Sequence, residues 1–218
     1  MSLRVVLLAE GSGETLGEGP FGRPAPGEPI RGEEQGAGHI LVARALEVAR
    51  RLPAAAIQFQ TPPRVRGRDA RGSDLLYRDT LRRLLTWPRP QDRPDLAVVL
   101  VDQDGQPGRA ALLAGHLAGL PASHVVVVAI QEFEAWLVAD QGALRAVFGP
   151  EAVAPPVPEA LEPRLAKGLI RAWTSAHGRG QEARRLRCDL AHVCDLEVLQ
   201  AVCPAFRRFV KDLDTFER

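Results

Sequence analysis

Short apolar runs alternate with segments of helical spacing along the first two-thirds of the chain, and that alternation limits the fold to few choices. Leu3-Arg-Val-Val-Leu-Leu-Ala9 and Leu96-Ala-Val-Val-Leu-Val101 are near-continuous aliphatic stretches, as strands buried on both faces require. Ala54 to Gln60 and His124-Val-Val-Val-Val-Ala-Ile130 read as two more strands. Helical segments lie between them. Residues 38 to 51 carry Ile40, Leu41, Ala45 and Val48 at helical spacing and stop before Pro53. Residues 74 to 86, with Ser73 as N-cap, place an acid early and arginines late, as the helix dipole prefers. Helices over 108 to 118 and 132 to 140 complete the series. Such spacing implies right-handed crossovers and an α/β fold, with a mostly parallel four-stranded sheet flanked by helices. After Gly149 the pattern changes: Pro150, Pro155, Pro156, Pro158 and Pro163 punctuate a polar, helix-prone stretch with no clear strand. The expectation is an α/β domain over 1–149 and a helical C-terminal region over 150–218 packed on it.

Parallel strands end along one rim, and open α/β sheets bind ligands at that rim. This chain puts acids there. Glu10-Gly11 follows the first strand, and Asp102-Gln-Asp104-Gly105 follows the third. Carboxylates gathered at one place repel unless a cation neutralises them, and hard oxygen donors favour Mg²⁺ or Mn²⁺. Glu10, Asp102 and Asp104 are therefore expected to converge on a divalent ion at a phosphate-handling site. Gly105 helps the bend that lets both aspartates reach one ion. Glu14, Glu132 and Glu134 are candidates to hold a second. Two residues apart on a helix, Glu132 and Glu134 point in different directions, and Glu134 is the preferred one. The plainer readings are a turn-forming Asp pair, a solvated strand-end Glu10 and first-turn acids that favour a helix dipole.

These motifs, in this order at strand ends, resemble the Toprim domain shared by bacterial primases, topoisomerases and small nucleases. Ala9-Glu10-Gly11-Ser-Gly-Glu14 and Val101-Asp102-Gln-Asp104-Gly105 carry the resemblance over about two-thirds of the chain. A second one spans nearly the whole chain. Ala129-Ile-Gln-Glu132-Phe-Glu134-Ala-Trp136-Leu-Val-Ala-Asp140 and Cys203-Pro-Ala-Phe206-Arg-Arg-Phe209 resemble uncharacterised bacterial Toprim-like proteins encoded beside ATPases in mobile or defence loci. The resemblance implies a Toprim-like fold, with Asp102 and Asp104 as metal ligands and Glu10 as shared ligand or general base. With Glu134 added, the implied catalytic and metal-binding set is Glu10, Asp102, Asp104 and Glu134, and the cofactor is Mg²⁺ or Mn²⁺. The implied activity is metal-dependent nuclease action on RNA or DNA, as the effector of an ATPase-coupled defence system. The implied partners are nucleic acid, an AAA- or ABC-type ATPase and, since Toprim relatives often dimerise, a homodimer. The alternative is a non-catalytic Toprim-fold partner that binds an ATPase or nucleic acid. A third reading is hydrolysis of a small phosphorylated molecule, with the glycine-rich loop over 15–38 as a lid.

Charge narrows the partners less than its distribution does. The net charge is +1, so no global field draws nucleic acid. Arginine dominates the basic residues, and lysine occurs only at Lys167 and Lys211. Arg64, Arg66, Arg68 and Arg71 make a basic loop that either tracks a nucleic-acid backbone or is simply solvated. Arg109 resembles the arginine often found after the Toprim Asp-x-Asp loop, and it opens a helix whose free N–H groups favour phosphate. No apolar run approaches a membrane span, and Met1-Ser-Leu-Arg4 leads into a strand without a signal-peptide layout. With an odd count of three cysteines, the expectation is a cytoplasmic chain with reduced thiols. Cys188, Cys194 and Cys203 lack CxxC spacing, so zinc with His192 is weaker than a role as small apolar fillers. Gly11-Ser-Gly13 is no Walker A loop, and the single Tyr77 lies without a topoisomerase companion domain.

Overall fold

The structure is a computed structural model that describes residues 2–15, 24–70, 72–87, 92–120, 123–178 and 182–216. Arg71 and the loop glycines Gly17, Gly19 and Gly22 lie outside the described residues. Strands β1 (Leu3–Ala9), β2 (Ile57–Gln60), β3 (Leu96–Asp102) and β4 (His124–Ala129) form one sheet in the order β2-β1-β3-β4. Every pairing between them is parallel, so all four C-terminal ends open on the same rim. The fold is α/β, as the alternation of runs requires.

The helices follow in chain order. A single turn, α1 (Ser12–Thr15), leaves β1, and α2 (Ala37–Arg50) crosses toward β2. Between β2 and β3 lies α3 (Arg78–Leu85), and between β3 and β4 lies α4 (Arg109–Leu117). After β4 come α5 (Glu134–Leu137) and α6 (Gln141–Phe148). The C-terminal helices are α7 (Leu165–Ala176), α8 (Ala183–Val193), α9 (Leu196–Val202) and α10 (Pro204–Thr215).

Side chains alternate between the two faces of a strand, and here each face builds its own core. Val5, Leu7, Val98 and Leu100 face α2 and the C-terminal helices, in a cluster with Leu41, Trp136, Leu190, Phe206 and Leu213. Val6, Leu8, Val99 and Val101 face the other way, onto Leu75, Leu81, Leu113 and Leu117. Central β3 is buried at every position, whereas the edge strand β4 alternates buried with half-buried residues. The C-terminal helices α8 and α10 pack on α2, and α10 also covers β4.

Local departures from the sequence reading have identifiable causes. The segment read as one helix from 74 begins instead as a 3-10 turn, Gly72–Leu76, and α3 starts only after an extended Tyr77. Asp74 is forked by the Arg68 guanidinium at 2.7 and 3.2 Å, and Leu75 is fully buried, so this turn is tied down by its own contacts. The helix expected over 132 to 140 is a single turn, α5. Asp140 then accepts from Gly142 N at 2.7 Å and caps α6 instead. Residues Ala54–Ala56 form a 3-10 turn, so β2 begins at Ile57. The described part of the loop over 15–38 runs beside β2. Ile30 N donates to Phe59 O at 2.9 Å and Thr61 N to Glu28 O at 2.8 Å, which covers the outer edge of that strand.

Candidate functional site

The rim gathers its acids by strand geometry first. Glu10 stays in register beyond β1, its N–H donating to Leu100 O at 3.1 Å, and its carboxylate reaches across to accept from Asp102 N at 3.1 Å. Asp102 closes β3, and its Oδ1 accepts from Phe133 N at 2.7 Å. The chain then bends. Asp104 adopts φ 46° and Gly105 φ 69°, and Gln131 after β4 adopts φ 62°. Left-handed backbone at non-glycine residues stores strain and gathers at functional sites. Here the two strained residues meet, since Asp104 N donates to Gln131 O at 3.3 Å. Buried Arg109, the first residue of α4, closes the arrangement. Its Nη1 donates to the Asp102 carbonyl, to Asp104 Oδ2 at 3.1 Å and to Glu10 Oε2 at 3.5 Å.

A second set of contacts arrives from the C-terminal helices. Lys167 on α7 donates its backbone N–H to Glu132 Oε1 at 2.8 Å. Its Nζ stands 3.1 Å from Asp102 Oδ2, 3.4 Å from Glu134 Oε2 and 3.7 Å from Glu132 Oε2. Arg187 on α8 places Nη2 3.0 Å from Glu134 Oε1. Glu14, on α1, is 4% exposed, and its Oε2 has no hydrogen-bond partner among the described residues. Two glycines make its berth: a Cβ at Gly11 would collide with the Glu14 carboxylate, and one at Gly38 would lie 2.8 Å from the Glu14 carbonyl oxygen.

Charge in this cluster is unbalanced. Six carboxylates (Glu10, Glu14, Asp102, Asp104, Glu132 and Glu134) meet three cations, Arg109, Lys167 and Arg187. Burial and then the neighbouring Glu134 and Asp102 charges push the Glu14 carboxyl up to about 7. Burial likewise raises Glu10, Asp102 and Glu134, against hydrogen bonds and cations that pull the other way. Burial works against the Lys167 charge, but Glu134 and Asp102 outweigh it and hold the ammonium above the usual lysine range.

The donor set suits Mg²⁺ or Mn²⁺ in kind, being all hard oxygen, in excess, with one buried oxygen of Glu14 lacking a hydrogen-bond partner among the described residues. The arrangement is already partly filled by protein cations on Asp102, Glu134, Glu10 and Asp104. Among the described residues, no three His, Cys, Asp or Glu side chains are grouped as a ready metal cage.

Of the residues singled out from sequence, Glu10, Asp102, Asp104 and Arg109 share one hydrogen-bonded cluster, and Glu134 joins it through Lys167. Glu132 and Glu134 would point in different directions on one helix, but only Glu134 is helical. Glu132 instead precedes α5 in a turn, so both carboxylates reach the Lys167 ammonium. Arg64, Arg66 and Arg68 lie on a tight turn closed by Val65 N to Arg68 O at 2.7 Å and Arg68 N to Val65 O at 3.0 Å. Arg64 and Arg66 are exposed, whereas the Arg68 fork is engaged by Asp74. That loop leaves the C-terminal end of β2 and returns to the rim, where Gly72 N donates to Glu10 O at 2.8 Å. His39 Nδ1 accepts from Gly36 N at 3.2 Å and so serves the start of α2. Lys167 and Arg187 were not found from sequence. The one available signal was the scarcity of lysine in a chain this rich in arginine.

The family model described as "Domain of unknown function (DUF4276)" matches residues 46–214, well over half of the chain. The chain belongs to the DUF4276 family. The DUF4276 match contains Asp102, Asp104, Glu132, Glu134, Lys167 and Arg187, while Glu10 and Glu14 precede it. No curated protein matches the chain. Among solved structures, the C-terminal region of the OLD protein of Xanthomonas campestris pv. campestris is similar, with a TM-score of 0.41 and 15% identity over 98% of this chain and 94% of that one. Among the described residues, no helix is long and apolar enough to cross a membrane.

Proposed function

We propose that this protein is a Toprim-type, divalent-metal-dependent nuclease that hydrolyses phosphodiester bonds of RNA or DNA. The observation that carries this reading is the surplus of buried acid at the rim, with a Glu14 oxygen that has no hydrogen-bond partner among the described residues. Glu10, Glu14, Asp102, Asp104 and Glu134 would hold Mg²⁺ or Mn²⁺. Such an ion, when bound, supplies charge neutralisation at the phosphoryl oxygens and an acidified water. The chain's own groups do the rest. Arg109 locks the Asp104 loop against Glu10, so the acids are held before substrate arrives. The Lys167 ammonium balances Asp102 and Glu134 and is placed to take a phosphate oxygen in exchange for a carboxylate. Arg64 and Arg66 are exposed on the loop that follows β2, and there they would meet an approaching polyanion. The test is cleavage of labelled RNA and DNA by wild type and Asp102→Asn with Mn²⁺. Loss of cleavage with an unchanged circular dichroism spectrum is expected, and wild-type cleavage by Asp102→Asn would falsify the proposal.

One observation favours a second reading. Lys167 and Arg109 already sit on the aspartate oxygens, as they would in a non-catalytic Toprim-fold domain that docks on an ATPase or nucleic acid. Calorimetric titration separates the two. The nuclease reading expects Mn²⁺ to bind below millimolar and Asp104→Ala to weaken it. The docking reading expects neither. An ATPase partner and a homodimer belong to both readings, and co-purification and sedimentation test them.

A further inference from the structure

The segment tied to Glu10 through Gly72 carries one feature that the acids do not use. Among the described aromatic residues, Tyr77 alone is a large exposed ring, at 64%, while Phe59, Phe133, Trp136, Phe148 and Phe206 are fully buried. Its backbone is extended, with φ −85° and ψ 121°, at the N-cap of α3. Leu75 is buried just before it and Leu81 just after, so the segment is anchored on both sides while the ring projects. The same segment is tied to the acidic centre through Gly72 N to Glu10 O at 2.8 Å. A 3-10 turn rises about 2 Å per residue, so the chain itself keeps Tyr77 within roughly 10 Å of that bond, one or two nucleotides away. Arg78 beside it is exposed, and exposed Arg64 and Arg66 stand on the turn that the same connection carries.

We propose that Tyr77 is a stacking platform for an unpaired base, and that with Arg64, Arg66 and Arg78 it forms a single-strand track leading to the acidic cluster. The inference rests on the nuclease reading and narrows its substrate to single-stranded nucleic acid. An exposed ring gives every base a π-face to stack on, and arginines beside it hold the backbone without regard to sequence. A duplex keeps its bases stacked on each other and presents no free face to the ring.

The test is fluorescence anisotropy with a short labelled oligothymidine and with a blunt hairpin duplex, both in EDTA so that binding is read without cleavage. Tyr77→Ala is expected to weaken single-strand binding about tenfold and to leave duplex binding unchanged. Tyr77→Trp is expected to bind the single strand as wild type does, and abasic positions in the oligomer to reproduce the alanine loss. Single-strand binding by Tyr77→Ala equal to wild type, or an equal loss on single strand and duplex, overturns the proposal. Tyr77 is solvent-facing, so matched circular dichroism spectra are expected for every variant. The outcomes separate from the nuclease reading. Tyr77-dependent binding without cleavage on adding Mn²⁺ removes the hydrolysis and keeps the track. Cleavage with Tyr77-independent binding removes the track and keeps the hydrolysis.

Discussion

Glu14 is the side chain whose charge state the fold alters most legibly. Unfolded, it titrates at 4.5; folded, burial and the charges of Glu134 and Asp102 push it up to about 7. Below pH 4.5 both states hold the proton, and the residue is neutral to stability. Between there and about 7 the folded chain keeps a proton that the unfolded chain has released, so stability falls as pH rises through this window. The full effect above the window is on the order of 3 kcal/mol. In EDTA, urea denaturation should therefore find Glu14→Gln more stable than the parent near pH 8 and equal to it near pH 4. Lys167 acts in the opposite sense. Removing its ammonium leaves Asp102 and Glu134 facing each other across a partly desolvated gap. Lys167→Met should cost about 3 kcal/mol at neutral pH by the same measurement, and Lys167→Arg clearly less. Glu10 and the Asp102–Asp104 pair were legible in sequence because strand ends announce themselves. Lys167 was not, because it sits 65 positions after Asp102 on a helix whose docking no local pattern encodes.

Strands β1 and β3 were readable because double-sided burial demands unbroken aliphatic runs, and β3 is buried at all seven of its positions. The helical connections were harder, because short side-chain contacts reset their limits. Asp140 followed by Gly142 was a usable cap signal, and it breaks the stretch read as one helix into α5 and α6. Ser73 looked like a cap but lost to the Arg68–Asp74 fork and the buried Leu75. The placement of α1 on α2 depends on Gly38, where backbone meets backbone. Alanine normally suits a helix interior better than glycine by about 1 kcal/mol. Here its Cβ would press on the Glu14 carbonyl oxygen at 2.8 Å and on Leu7 Cδ2 at 3.1 Å. Gly38→Ala should reverse the usual sign and destabilise by about 1–3 kcal/mol, read as a lowered melting temperature.

Sheet and tail share one apolar cluster, in which Val5 and Val98 join Leu186, Leu190, Phe206 and Leu213. A boundary at 149 is visible as a change of sequence pattern, yet the core runs across it. Denaturation should then follow a single transition by both tryptophan fluorescence and far-UV circular dichroism. Leu190→Ala and Leu213→Ala should each shift that one transition by about 2–5 kcal/mol, and two separable transitions would count against the shared core. The same connectivity has a consequence during synthesis. A ribosome delivers all six acids by residue 134 with Arg109 alone among their three cations, and the lysine and arginine that answer Asp102, Glu132 and Glu134 come only at 167 and 187. A growing chain thus completes its sheet with the rim electrically unfinished, and translation through α7 and α8 supplies the counterweight.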